Sequence, residues 1–145
     1  MAQAKKHNKA REKAFEAELA HLAAIMRCAY IKIPDPLVTA TKIKDRKNFM
    51  MTECKRPFDA ILVTPNGNYC IECKYNYTPL ADHQKANLAR INEINDSAWV
   101  LRKIEKYDDT GYKRIWVKYR KEKAGEVILE TEDPQALIKS FIDKT

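Results

Sequence analysis

Three residues stand where their types and spacing could carry out phosphate-ester chemistry: Asp59, Glu72 and Lys74. Residues 58–64 are apolar and β-branched, Asn66-Gly67 is a hairpin signal, and residues 69–75 alternate Tyr, Ile, Cys and Tyr with Cys70, Glu72 and Lys74. A turn centred on Asn66 and Gly67 puts Asp59 opposite Lys74 and Ile61 opposite Glu72. All three charged side chains then share one face, within roughly 5 to 8 Å of each other. Pro65 lacks an N–H and could widen the turn to four residues closed by Thr64 and Tyr69, which keeps the same face; a bulge would not. Two carboxylates held this close repel unless a proton or a cation lies between them, and hard oxygen ligands suit magnesium or manganese. A lysine on the same face can donate to a phosphate oxygen or to the attacking water, while a metal acidifies that water and offsets charge on the phosphoryl group. The plainer alternative is a cross-strand Asp59–Lys74 salt bridge with Glu72 solvated beside it.

The elements that must position these residues follow from periodicity. Residues 8–30 carry Phe15, Leu19, Leu22, Met26 and Ala29 at helical spacing. Pro34 and Pro36 end regular structure, and 39–56 is expected as an extended polar connection with a strand-like interruption at 48–52. Thr78 and Pro79 read as N-cap and first position of a helix whose Leu80, Ala81, Gln84, Leu88, Ile91 and Ile94 share a face, ending near Asn95. Strands are expected at 98–102, 115–119 and 126–129, and Asp133-Pro134 opens a last helix with Leu137, Ile138, Phe141 and Ile142 inward. The fold class is therefore α/β, a mixed central sheet flanked by helices, in one domain of 145 residues whose first 1–8 are expected as a flexible basic tail.

Charge fits a polyanionic partner. Lys plus Arg number 27 against 20 Asp plus Glu, a net charge of +7. Lys5, Lys6, Lys9, Arg11 and Lys13 form one basic cluster, Lys42, Lys44, Arg46 and Lys47 a second, and Lys113, Arg114, Lys118, Arg120, Lys121 and Lys123 a third. Singly such residues are ordinary solvated surface; as clusters flanking an acidic site, with Lys85 beside Gln84, they could track phosphates. Tyr75 and Tyr77 could stack on a splayed base or serve the sheet. No apolar run approaches the ~18 residues that span a bilayer, so a soluble protein of the cytoplasm, with no membrane partner, is expected. Cys28, Cys54, Cys70 and Cys73 lack paired knuckle spacing, and Cys70 and Cys73 fall on opposite faces of one strand, so reduced thiols are expected rather than zinc.

Asp59 followed by Glu72-Cys73-Lys74 resembles the D…(D/E)xK signature of the PD-(D/E)xK nuclease superfamily. Phe15-Glu16-Ala17-Glu18-Leu19 looks like the acidic helix position of that superfamily, and His83-Gln84 with Leu88 looks like its following helix. The run Lys32-Ile33-Pro34-Asp35-Pro36, the Asp59 to Glu72 spacing and Leu80-Ala81-Asp82-His83-Gln84 are most similar to RecU-type Holliday-junction resolvases, over about residues 12 to 103. The resemblance implies a restriction-endonuclease-like fold and a magnesium-dependent endonuclease, Mn2+ substituting, that acts as a homodimer on branched or four-way-junction DNA in recombination or repair. It implies Glu16, Asp59, Glu72 and the backbone carbonyl of Cys73 as metal ligands, Lys74 as the group that positions or activates water, and Gln84 near the scissile strand. Glu16 is taken over Glu12 and Glu18 because it follows Phe15 as in the family phrase. The chain is shorter than typical resolvases and 43–57 is short for the stalk that enters a junction, which leaves two alternatives open: a related nuclease for flaps, ends or duplex, of the VRR-NUC or restriction-like groups, and a non-catalytic basic nucleic-acid-binding module.

Overall fold

In the computed structural model, residues 2–34, 56–120 and 127–143 are described. Lys42, Lys44, Arg46, Lys47, Cys54, Lys121 and Lys123, with the 48–52 segment, lie outside the described residues. The chain runs α1 (Ala2–Ile25), β1 (Ala29–Lys32), β2 (Ala60–Thr64), β3 (Gly67–Tyr75), α2 (Asp82–Ile94), β4 (Ala98–Asp108), β5 (Gly111–Tyr119), β6 (Val127–Thr131) and α3 (Pro134–Ile142). It is a mixed α/β protein whose six-stranded sheet has the order β1-β2-β3-β4-β5-β6. Every neighbouring pair is antiparallel except β3 and β4. A parallel pair needs a long crossover, and α2 supplies it.

Alternation along the central strands sorts the side chains between two layers. Ile71 and Cys73 of β3 face α1 and α3, in a core with Phe15, Leu19, Leu62, Leu101, Leu137, Ile138 and Phe141. On the opposite face Leu88 of α2 packs on Ala98 and Val100, with Cys70, Leu80 and Ile91 around them. Each fully buried Leu contributes about 2 kcal/mol from water exclusion, and Leu19 and Leu88 thus hold one helix to each face.

Several boundaries differ from expectation. α1 begins at Ala2, so residues 2–8 form its first turns where a tail was expected. It stops at Ile25 because Arg27 turns left-handed, with φ 61°, and the Cys28 and Arg27 N–H groups close back on the Ala23 and Ala24 carbonyls at 2.7 and 3.1 Å. That frees residues 29–32, of which 29 and 30 were expected inside the helix, to pair with β2. α2 starts at Asp82 after an extended Ala81, not at Thr78-Pro79, and Ile94 is exposed. β4 and β5 run on to Asp108 and from Gly111, well beyond the expected 98–102 and 115–119. The β2–β3 turn is centred on Pro65 and Asn66, with Thr64 paired to Gly67 and Ile61 to Cys70. Pro65 takes the turn position that its fixed φ suits. The register moves by two residues, so Ala60 pairs with Ile71, and Asp59, just before Ala60, is hydrogen-bonded to Glu72 rather than set opposite Lys74. The Asn66 side-chain amide donates to the Ile142 carbonyl and ties α3 to this turn.

Candidate functional site

The β2–β3 ladder ends at Asp59. Its N–H donates to the Ile71 carbonyl at 3.0 Å and its carbonyl accepts from the Ile33 N–H at 2.9 Å, so its backbone is held between β1 and β3. One residue further along, the Cys73 N–H has no β2 backbone partner in register and donates instead to Asp59 Oδ2 at 2.7 Å. Residues 71 and 73 direct both main-chain groups towards β2, so the Cys73 carbonyl opens on the same fork as the Asp59 carboxylate.

β3 is the central strand here and is buried on both faces from Ile71 to Tyr75. Such a segment ordinarily reads as continuous apolar residues. Glu72 and Lys74 interrupt it at 2% and 6% exposure, and Asp59 is 4% exposed. Taking a charge out of water costs several kcal/mol unless partners offset it. Burial, and then the Asp59 carboxylate to which Glu72 is hydrogen-bonded, push the Glu72 carboxyl far above the usual range, with Lys74 opposing.

Gln84 locks Glu72 from α2. Its Nε2 donates to Glu72 Oε2 at 3.2 Å, while its Oε1 accepts from the Ala81 N–H at 2.8 Å. Both ends are fixed, which sets the amide orientation and satisfies a helix N-terminal donor.

α1 brings a second pair of carboxylates across the fork. Oxygens of Glu16 and Asp59 lie within 4.8 Å of one another and of Cys73 Sγ. Glu16 also accepts from the Tyr30 hydroxyl at 2.9 Å and stands 4.0 Å from Lys32 Nζ. Burial and then Asp59 raise its carboxyl above the ordinary value. Glu12, one turn earlier, faces Lys74, Asp59 and Glu16, and burial is the main cause of its carboxyl being pushed up to about 7. Glu18 points elsewhere: it accepts from Trp116 Nε1 at 2.7 Å and pairs with Lys103 Nζ at 3.1 Å. Of the three helix acids, Glu12 and Glu16 therefore join the site and Glu18 anchors α1 to β4 and β5.

Arg56 supplies the nearest guanidinium, 3.0 Å from Asp59 Oδ1, and also donates to the Ile33 carbonyl at 3.1 Å. Cys73 Sγ is fully buried, 3.3 Å from the Tyr30 hydroxyl, and burial drives its thiol well above the ordinary value. A protonated thiol is a poor ligand for a hard cation; the Cys73 carbonyl is a suitable one. Cys28, Cys70 and Cys73 are free thiols, Cys70 on the α2 face and Cys73 on the α1 face.

The structure thus brings Glu16, Asp59, Glu72, Cys73, Lys74 and Gln84 together at one fork. Lys9, Arg11, Lys13 and Lys85 are exposed on helices bordering it. Tyr75 is 5% exposed, in the α1 layer, so it is a sheet residue rather than a base-stacking one; Tyr77 is 73% exposed. Sequence reasoning did not single out Arg56 or Tyr30, and Lys32 entered only through the run 32–36. Their signal was positional, since Arg56 precedes Asp59 by three residues and Tyr30 stands where the helix was expected to end. No family model, curated protein or solved structure matches this chain.

Proposed function

We propose that this chain is a metal-dependent endonuclease with a restriction-endonuclease-like fold, cutting phosphodiester bonds in branched DNA with Mg2+, or Mn2+ in its place. The observation that carries the reading is the pair Glu72 and Lys74, buried in a central strand, with Glu72 hydrogen-bonded to the buried Asp59. A structural role would be met as well by apolar residues there, without the desolvation cost.

The donor set fits a hard divalent cation. Asp59, Glu72 and Glu16 offer carboxylate oxygens and the Cys73 carbonyl a neutral one, and burial, with Asp59 adding to it, raises the Glu12, Glu16 and Glu72 carboxyls. A cation held there would supply charge stabilisation at a phosphoryl group and would acidify an attacking water. Lys74 offers an ammonium to a phosphate oxygen from a dry position, where its charge is screened least. Gln84 holds Glu72 in place through the amide it shares with Ala81. Arg56 fixes Asp59 from the outer side. Lys9, Arg11, Lys13 and Lys85 would bind flanking phosphates and make affinity fall steeply with salt. A cut in each of two strands calls for two copies of the site, hence a homodimer.

A second reading, a non-catalytic basic nucleic-acid-binding module, is favoured by Asp59 alone, whose two oxygens are already engaged by Arg56 and the Cys73 N–H. Labelled four-way junction, flap and linear duplex, each incubated with Mg2+, Mn2+ or EDTA and with wild type or Asp59→Asn, separate the readings. Metal-dependent paired nicks in the junction, lost in the variant while binding persists, support the proposal. Equal cutting of all substrates moves it to the flap, end or duplex nucleases. Metal-independent binding with no cutting supports the module.

A further inference from the structure

β4 and β5 outrun the rest of the sheet. β3 ends at Tyr75, level with Lys103, and β6 reaches only Trp116 through Thr131. Beyond that level Ile104 to Asp108 pair with Ile115 to Gly111 as a two-stranded ribbon. Tyr107 lies five residues past Arg102, the partner of Lys74, or roughly 17 Å along the strand at 3.3 Å per residue. The ribbon therefore leaves the sheet at the same end as the acidic fork. α1 flanks it there, with Glu12 near Lys74 and Arg11 near Tyr75.

The ribbon carries an aromatic pair that buries little. Tyr107 and Tyr112 are cross-strand partners with ring centroids 5.1 Å apart, yet they are 83% and 43% exposed. Arg114 stacks on Tyr112 at 5.3 Å on the same face. On the opposite face Lys106 and Lys113 stand directly across from each other. Like charges so placed repel; the exposed Asp108 stands 3.2 Å from Lys113 Nζ, and Glu130 and Glu132 line the same hollow as the two lysines. Open aromatic faces interleaved with cations are the chemistry of single-stranded nucleic-acid binding, where bases stack and phosphates are met. Glu105, across from Arg114, with Asp108 and Asp109 balances these cations in number, so stacking rather than net charge carries the contact.

We infer that the β4–β5 ribbon is a base-stacking arm: Tyr107 and Tyr112 take unpaired bases next to a branch, while Lys106, Lys113 and Arg114 meet the adjoining phosphates. This rests on the nuclease reading only for the choice of DNA as the polyanion. The arm would tell branched from continuous duplex by the presence of bases free to stack.

Binding in EDTA, where no hydrolysis occurs, tests the arm separately from the active site. The probes are a forked DNA with 2-aminopurine in its unpaired strand and a blunt duplex of the same length. Wild type is expected to quench the 2-aminopurine and to prefer the fork. Tyr107→Ala combined with Tyr112→Ala is expected to lose the quench and about tenfold or more of fork affinity, the loss of one stacked base. Its blunt-duplex affinity should not change, and the double Phe variant should behave as wild type. Should the Ala pair loosen the ribbon, Tyr107→Ser alone, at the more exposed ring, is expected to show the same selective loss. Undiminished quench and fork affinity in the Ala variants, or equal loss in the Phe variant, overturns the inference. A chain that cuts DNA without quenching refutes the arm and leaves the nuclease standing; one that quenches without cutting does the reverse.

Discussion

Glu12→Gln tests whether the fork holds its carboxylates against their preference. In the folded chain this carboxyl is raised from 4.5 to about 7, first by burial and then by Asp59 and Glu16, with Lys74 opposing. At about 1.4 kcal/mol per pH unit, that displacement sets a ceiling of about 3 kcal/mol, and the partial solvent contact of Glu12 reduces it to about 1–2 kcal/mol. The sign follows from linkage. Below pH 4.5 Glu12 is protonated folded and unfolded, so nothing is lost; between 4.5 and about 7 the unfolded chain gives up its proton first, and above about 7 the full cost is present. The variant is therefore expected to match wild type at pH 4 and to exceed it by about 1–2 kcal/mol at pH 8, about 3–8 °C in melting temperature for a chain this size. Paired calorimetric melts at the two pH values measure the difference, and Mg2+ at pH 8 should narrow it by stabilising wild type more. A gain equal at both pH values, or a loss at pH 8, would refute the idea that crowded carboxylates are held at a cost.

Three further outcomes are expected. Gln84→Ala removes the amide that orients Glu72 and should slow DNA cleavage about 10–100-fold, with little change in DNA binding by anisotropy. Leu19→Ala opens a cavity under α1, which carries Glu12 and Glu16, and should cost about 2–5 kcal/mol by denaturant unfolding, with activity falling in parallel. Lys118 is buried against Trp99 and Phe141 at 4.3 and 3.8 Å, and burial lowers its ammonium to about 8. The folded state thus pays for the charged form below about pH 8 and is relieved as pH rises towards 10.5. Lys118→Met should be more stable than wild type by about 1 kcal/mol at pH 7, the aromatic faces having offset part of the cost, with the gap closing in melts above pH 10.

The site was legible where side-chain periodicity decides it. Alternation along residues 69–75 puts Glu72 and Lys74 on one face whatever the turn, and with the register displaced by two Asp59 is still hydrogen-bonded to Glu72. The stop of α1 was not legible, because a left-handed Arg27 rather than a glycine closes it. β1 was lost with it, and the place of Tyr30 beside Glu16 along with β1. The choice among Glu12, Glu16 and Glu18 was likewise closed to periodicity, since all three share the helix. Packing removes Glu18 from that choice by giving it to Trp116 and Lys103, and leaves both Glu12 and Glu16 beside Asp59. The length of β4 and β5 escaped notice because Glu105, Lys106 and Asp108 are polar, as an arm outside the core must be.

Lys74 is the group that a merely structural account explains least, so the decisive measurement is single-turnover cleavage of a labelled branched DNA by wild type and Lys74→Met, in Mg2+, with binding followed in parallel. The expected result is a rate reduced by about 10²–10³-fold with affinity unchanged, the loss of a charge-stabilising donor at the reacting phosphate. Equal rates in the two proteins, or no cleavage by a folded wild type that binds the DNA, would contradict the assignment of this fork as a nuclease centre.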